Sequence, residues 1–180
     1  MRDTQGAMEL PSLRDGDLVL RPKHEGDVAA LTAACQDPEI PRWTLVPAPY
    51  TEADARAFIA SSEREAAAGK AANLIAVDAA DGLLLGSFSL MELDRAPGYG
   101  EIGYWVAAAA RGRGVATRAV RLLTEWAVTE LGLTKIEILP HRDNAPSRRV
   151  AERAGYHDTG ELRPCPRAPH DDPVYAVYAL

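Results

Sequence analysis

Cysteine is almost missing from this chain of 180 residues: only Cys35 and Cys165 occur. Two cysteines cannot build a disulfide framework, and no Cys/His spacing suggests zinc, so no metal is expected. Long apolar runs are missing as well. None approaches the ~20 residues that cross a bilayer, and the opening M-R-D-T-Q-G-A-M-E lacks the apolar centre of a secretory signal. Nor is there an excess of positive charge. Lys and Arg number 20 against 26 Asp and Glu, a formal net charge of −6. With a pI near 5.2, that balance argues against a broad nucleic-acid footprint. Gly-Lys followed by Ser or Thr occurs nowhere, which excludes a Walker loop. These absences together predict a cytoplasmic protein whose partners include neither nucleic acid nor membrane.

What remains is an ordinary globular composition, 47% hydrophobic and 26% charged, long enough for one domain with a real core. Residues 1–16 are polar and read as a flexible N-terminal segment, leaving 17–180 as a single domain. D-L-V-L-R, ending at Arg21, alternates like a strand. Asp27 to Cys35 reads as a short helix stopped near Pro38. Four prolines between Asp37 and Pro49 predict an ordered loop carrying Trp43 rather than a helix. T-E-A-D from Thr51 is a capping-box start for a helix running to about Ala68, with Gly69 closing it. Strands follow at Asn73–Val77 and Leu83–Leu93, with a turn at Asp81-Gly82. Pro97-Gly98 then turns the chain into Glu101–Val106. Ala116, Ala119, Val120, Leu123, Trp126 and Ala127 repeat as one helix face. Lys135–Leu139 is the next strand. Pro146 early and Gly155 late bound the last helix, before strands near Tyr156–Leu162 and Val174–Leu180. This order predicts a mixed α/β fold with a flanked central sheet.

The densest chemistry lies from Glu101 to Ala119: E-I-G-Y-W-V, four alanines, then R-G-R-G-V-A-T-R-A. Gly112 and Gly114 permit turns that a Cβ would forbid. The helix behind them begins with unpaired N–H groups and a positive dipole end, and Arg111 and Arg113 add two charges. Such a corner suits a phosphate or pyrophosphate; a plain strand-ending turn is the duller alternative. The dinucleotide fingerprint does not fit. Gly112 lies six residues beyond Val106, and Thr117 occupies the place of the third glycine.

Arg111, Gly114 and Ala116 match Gln/Arg-x-x-Gly-x-Gly/Ala, and here the chain resembles the GNAT N-acetyltransferases. Beyond the loop, L-T-K-I-E-I-L and R-D-N-A-P-S-R-R-V-A-E-R-A-G-Y are similar to the strand and final helix of the family's RimJ/RimL-type branch. So are Trp43 with P-A-P-Y-T-E-A-D-A-R-A-F-I and the closing V-Y-A-V-Y-A-L. The resemblance covers most of residues 18–180. It implies a GNAT fold: a mixed, mostly antiparallel twisted sheet of about seven strands flanked by about four helices. It also implies acetyl-CoA as cofactor and direct acetyl transfer to a primary amine, such as a protein N-terminus, an amino acid or another small amine. The chain's acidity mildly favours such a cationic acceptor. A non-catalytic acyl-CoA sensor or interaction module is the alternative, and a homodimer is compatible with either.

By this resemblance the pyrophosphate is held by backbone N–H groups of Arg113, Gly114, Val115 and Ala116, within a binding stretch Arg111, Gly112, Arg113, Gly114, Val115, Ala116 and Thr117. Tyr104, Trp105 and Val106 pair with the pantetheine arm, and the Val106 N–H serves the oxyanion. In many relatives a tyrosine on the last helix protonates the leaving thiolate. Ala151 stands there instead, and the branch's serine maps to Ser147, which otherwise reads as a helix cap. Asn144 is assigned to pantetheine, or to the N-cap. Arg148 and Arg149 could reach phosphates or simply face water. Glu101 is the candidate general base, against a strand-end glutamate with no role in the chemistry, and Glu92 is the second. A carboxylate some relatives carry after the Gly-Tyr strand is missing from R-P-C-P-R-A-P. Trp43 and Tyr50, with Glu92, are the expected acceptor-side residues, under the Asp37–Tyr50 and Arg163–Pro173 loops. His24, His141, His157 and His170 read as surface residues.

Overall fold

In the computed structural model, residues 6–164 and 175–180 are described. Cys165, His170 and most of the Arg163–Pro173 loop lie outside them. Eight strands form one sheet in the order β1-β2-β3-β4-β5-β6-β8-β7. They are β1 (Leu13–Asp15), β2 (Leu18–Pro22), β3 (Ala72–Asp78), β4 (Leu84–Asp94), β5 (Tyr99–Val106), β6 (Lys135–Ile138), β7 (His157–Arg163) and β8 (Tyr175–Ala179). Every neighbouring pair is antiparallel except β5/β6. Parallel neighbours need a crossover, and α4 (Val115–Thr129) provides it. The other helices are α1 (Val28–Ala34), α2 (Glu39–Trp43), α3 (Glu52–Ala67) and α5 (Ala145–Ala154).

The sheet buries a different core on each face. Phe88, Leu90 and Ile102 pack with Ala119, Val120 and Leu123 of α4. On the other face Ile75 and Val77 meet Leu31 of α1 and Ile59 of α3. Strand residues alternate between the faces, so one strand feeds both cores.

Two elements exceed the expected seven strands and four helices. The extra strand is β1, within the segment read as flexible. It pairs with β2, and Arg118 of α4 donates to Asp15 (2.7 Å) and Asp17 (2.8 Å). Upstream, Met8 is buried and its N–H donates to Ala66 C=O. The extra helix is α2, inside the proline-rich loop. Pro41 sits in its first turn, where a missing N–H costs little. Asp37 Oδ1 accepts from the Glu39 N–H at 3.0 Å, and Glu39 in turn accepts from Arg42 and from the Trp43 indole.

Candidate active site

The site opens where β5 and β6 part. They pair only through Tyr99↔Lys135, Gly100↔Ile136 and Glu101↔Glu137, yet β5 continues to Val106, still paired with β4 at Gly86. Ala107 N–H donates to Leu85 C=O at 2.9 Å. Backbone polar groups alternate between a strand's two edges, so Ala107, Trp105 and Gly103 face β4 while Ile102, Tyr104 and Val106 face the gap. In agreement, Val106 C=O accepts from Arg111 Nε on that side at 3.1 Å. An edge left open in this way can take an extended ligand as an added strand. The gap leads into a cleft of about 890 Å³.

One end of the cleft is the glycine loop. Gly112 and Gly114 have φ of +75° and +77°, and a Cβ on either would meet nothing within 4 Å. Positive φ, not crowding, requires glycine here, and the space above the turn is open. Gly114 is the N-cap of α4 and no side chain caps it. Gly114, Val115, Ala116 and Thr117 all line the cleft, so the first N–H groups of a 15-residue helix stand at its wall. Arg111 Nη2 lies 2.6 Å from Asp37 Oδ2, within ion-pair distance although not aligned as a hydrogen bond. That pair ties the glycine-loop arginine to the segment leading into α2.

Further along, α5 brings in Asn144 and Ser147. Asn144 Oδ1 accepts from the Ser147 N–H at 3.1 Å, so the cap is Asn144. The Ser147 hydroxyl does something else: its Oγ lies 2.9 Å from the Tyr104 hydroxyl, which also reaches Ser147 C=O at 3.3 Å. Tyr104 stacks on Phe88, centroids 5.5 Å apart and 13° between planes. Burial pushes its phenol up to about 12, so a neutral phenol sits beside Ser147.

The opposite arm carries Trp43 and Tyr50. Trp43 lies against His141 (5.6 Å between centroids), and His141 against Tyr175 (5.5 Å), which joins the two arms across the cleft. Tyr50 is anchored in the second core, and burial raises its phenol to about 12. Glu101 lies in register with Met91 on one side and Glu137 on the other. Glu137 is almost wholly buried. Arg163, Lys135 and Tyr99 bond to it, and those partners hold its carboxyl below the usual range despite burial.

Of the site residues expected from the sequence, Arg113 and Glu92 do not line the cleft. The Arg113 side chain is exposed, leaving only its backbone at the loop. Glu92 sits where the β4/β5 register shifts, with φ of +51°. Ser87, Ser89 and Met91 line the cleft, so alternation already sends Glu92 to the other face, and the bulge leaves it exposed there rather than in the core. His141 corrects the surface reading, for its ring lines the cleft. Arg148 bonds Tyr178 and Asp158 rather than reaching the loop. Sequence reasoning also missed Asp37, Arg153 and Tyr175. Their positions come from contacts far apart along the chain, which no local pattern announces.

A family model described as "Acetyltransferase (GNAT) domain" matches residues 17–157. The chain therefore belongs to the GNAT acetyltransferase family. It is 41% identical over 83 residues to YdaF of Bacillus subtilis, provisionally named a ribosomal N-acetyltransferase; the match covers 46% of this chain and 45% of that protein. The chain thus spans about half the length of that relative. The structure superimposes on Mycobacterium smegmatis RimJ in complex with CoA-disulfide at TM-score 0.83 and 21% identity, covering 95% of this chain and 86% of that one. Spermidine N-acetyltransferase from Vibrio cholerae, in complex with CoA and spermine, follows at TM-score 0.73 and 18% identity, covering 92% and 94%. At such identities these likenesses establish the fold.

Proposed function

We propose that this chain, as one GNAT domain over 17–180, transfers the acetyl group of acetyl-CoA to a primary amine by direct attack. The observation that carries the reading is the open edge of β5 leading to the uncapped start of α4. Together they match an elongated ligand with amides at one end and a pyrophosphate at the other. Gly114, Val115 and Ala116 would hold the phosphates, and Val106 and the Tyr104 C=O the pantetheine amides, while Trp105, whose backbone groups face β4, would not pair with the arm as the sequence suggested. RimJ and the spermidine enzyme, whose structures hold CoA species, support this use of the fold.

In the reaction, the neutral amine forms a bond to the thioester carbonyl carbon, and its proton passes to Glu101 directly or through water. Val106 lies at the glycine-loop end of β5, where the pantetheine arm begins, so the Tyr104 N–H beside Ser147 would meet the oxyanion in its place; a donor of this kind is worth roughly 3 kcal/mol in acyl transfer. The C–S bond then breaks, and the sulfur takes a proton from Ser147, whose hydroxyl regains one from solvent while Glu101 releases the amine's proton to solvent. Tyr104, whose phenol stays protonated at neutral pH, orients that hydroxyl. Across the whole step the nitrogen loses one proton and the sulfur gains one.

Release of free thiol across a broad amine panel tests the reading. Turnover above background hydrolysis is expected with at least one amine. Tight acetyl-CoA binding with no thiol release on any amine would instead favour a binding module. Glu101→Gln is expected to lower kcat about a hundredfold and to remove the acidic limb of its pH profile; an unchanged profile would remove Glu101 as the base.

A further inference from the structure

Charge is divided along the cleft. Among the described lining residues the arginines are Arg111 and Arg153, on the cofactor loop and on α5, and Arg111 is already paired with Asp37. The arm formed by α2, α3 and the facing strands contributes Glu39, Asp54 and Glu101, with no lysine or arginine. Glu39 is held ionised by Arg42 and the Trp43 indole, and Asp54 by its hydrogen bonds with Thr51. Arg42 offsets Glu39 only from outside, since it does not line the cleft. Between these carboxylates the walls are largely apolar: Trp43, Tyr50, Phe58, Met91 and Trp105.

Such a compartment attracts an ammonium ion and repels an anion, and its low-polarity walls strengthen both effects. A carboxylate next to the reacting nitrogen would enter the arm that carries Glu39, Asp54 and Glu101 and lacks a lining lysine or arginine, whereas Arg153 lines the cleft from α5. An apolar body, by contrast, would leave water for an aromatic wall.

We propose that the acceptor is a primary amine on an apolar or aromatic body with no carboxylate adjacent to the nitrogen. That class includes arylalkylamines and peptide N-termini with apolar first residues, and it excludes free amino acids. The proposal rests on the acetyltransferase reading for the identity of the compartment, but its test does not need turnover.

CoA-saturated protein is titrated calorimetrically near pH 7 with 2-phenylethylamine, L-phenylalaninamide, L-phenylalanine and ethanolamine. Phenylethylamine and phenylalanine are both ammonium ions there and differ only by the carboxylate, while the amide controls for bulk. The two aromatic ligands without a carboxylate are expected to bind at least about tenfold tighter than phenylalanine, and ethanolamine to bind weakly. Glu39→Lys adds a cation to the arm and should shrink the phenylethylamine-to-phenylalanine ratio; Glu39→Gln does so more mildly if the lysine variant misfolds. Equal affinities, a preference for phenylalanine, or no binding of phenylethylamine up to about 10 mM overturns the proposal. Selective binding without thiol release would count against acetyl transfer and leave the acceptor class standing. Turnover of phenylalanine as fast as phenylethylamine would do the reverse.

Discussion

Ser147 carries the most informative contact at the scale of single residues. Its sequence position allowed a helix cap or a catalytic hydroxyl, and the structure gives the cap to Asn144. Ser147→Ala should therefore leave the cap in place. It would leave the half-buried Tyr104 hydroxyl with only its longer bond to the Ser147 C=O, at a cost of about 1 kcal/mol in stability. If the serine protonates the departing thiolate, kcat falls roughly tenfold to a hundredfold with little change in cofactor affinity; a kcat within about twofold of wild type would make the residue purely structural. Tyr104→Phe removes the partner but keeps the stacking on Phe88. Its expected kcat loss is smaller, about threefold to tenfold, and it vanishes in a Ser147→Ala background if the phenol acts only through the serine.

Lys23 is a residue that no sequence pattern singled out. It is 6% exposed, with Nζ 4.2 Å from the Phe58 ring centroid and 3.5 Å from Ser62 Oγ. Burial lowers its ammonium to about 7, against the opposing pull of Glu65 and Asp27. The unfolded chain keeps the proton to about 10.4, so between these values the unfolded state binds more protons and stability rises with pH. Below about 7 the group is charged in both states and the full burial penalty remains. In urea unfolding, the advantage of Lys23→Met over wild type should therefore shrink by about 1 kcal/mol or more between pH 7 and 10. A pH-independent difference would mean that the amine is solvated in the folded protein.

At the scale of elements, legibility followed sequence distance. The Thr51–Asp54 capping box, the α5 boundaries at Asn144 and Gly155, and the strand–loop–helix unit from β5 to α4 are local devices, and local patterns revealed them. Helix α2 was hidden because four prolines argue against helix unless one falls in a first turn, and that turn is held by Asp37 and Glu39 side chains. Strand β1 was hidden because three residues are too few to show alternation; what fixes it is Arg118, 103 positions away from Asp15. The outward turn of Glu92 needed the register shift, which exists only once β4 and β5 are paired. Tyr104 and Ser147 are 43 residues apart; each was named as a site residue, but their contact was not readable.

For the whole molecule, the sheet does two jobs with one discontinuity. It runs unbroken between two cores except where β6 leaves β5 after Glu101. There the strand's polar edge, the α4 N-terminus and the Ser147–Tyr104 pair converge on one cleft. If this cleft binds acetyl-CoA through its glycine loop, calorimetric titration of acetyl-CoA at moderate salt will register it. Wild type is expected to bind saturably in the micromolar range, and Gly114→Asp at least about a hundredfold more weakly, since it sets a side chain and a negative charge into the open space above the turn. No detectable wild-type binding up to about 1 mM, or equal binding by the folded variant, would contradict it.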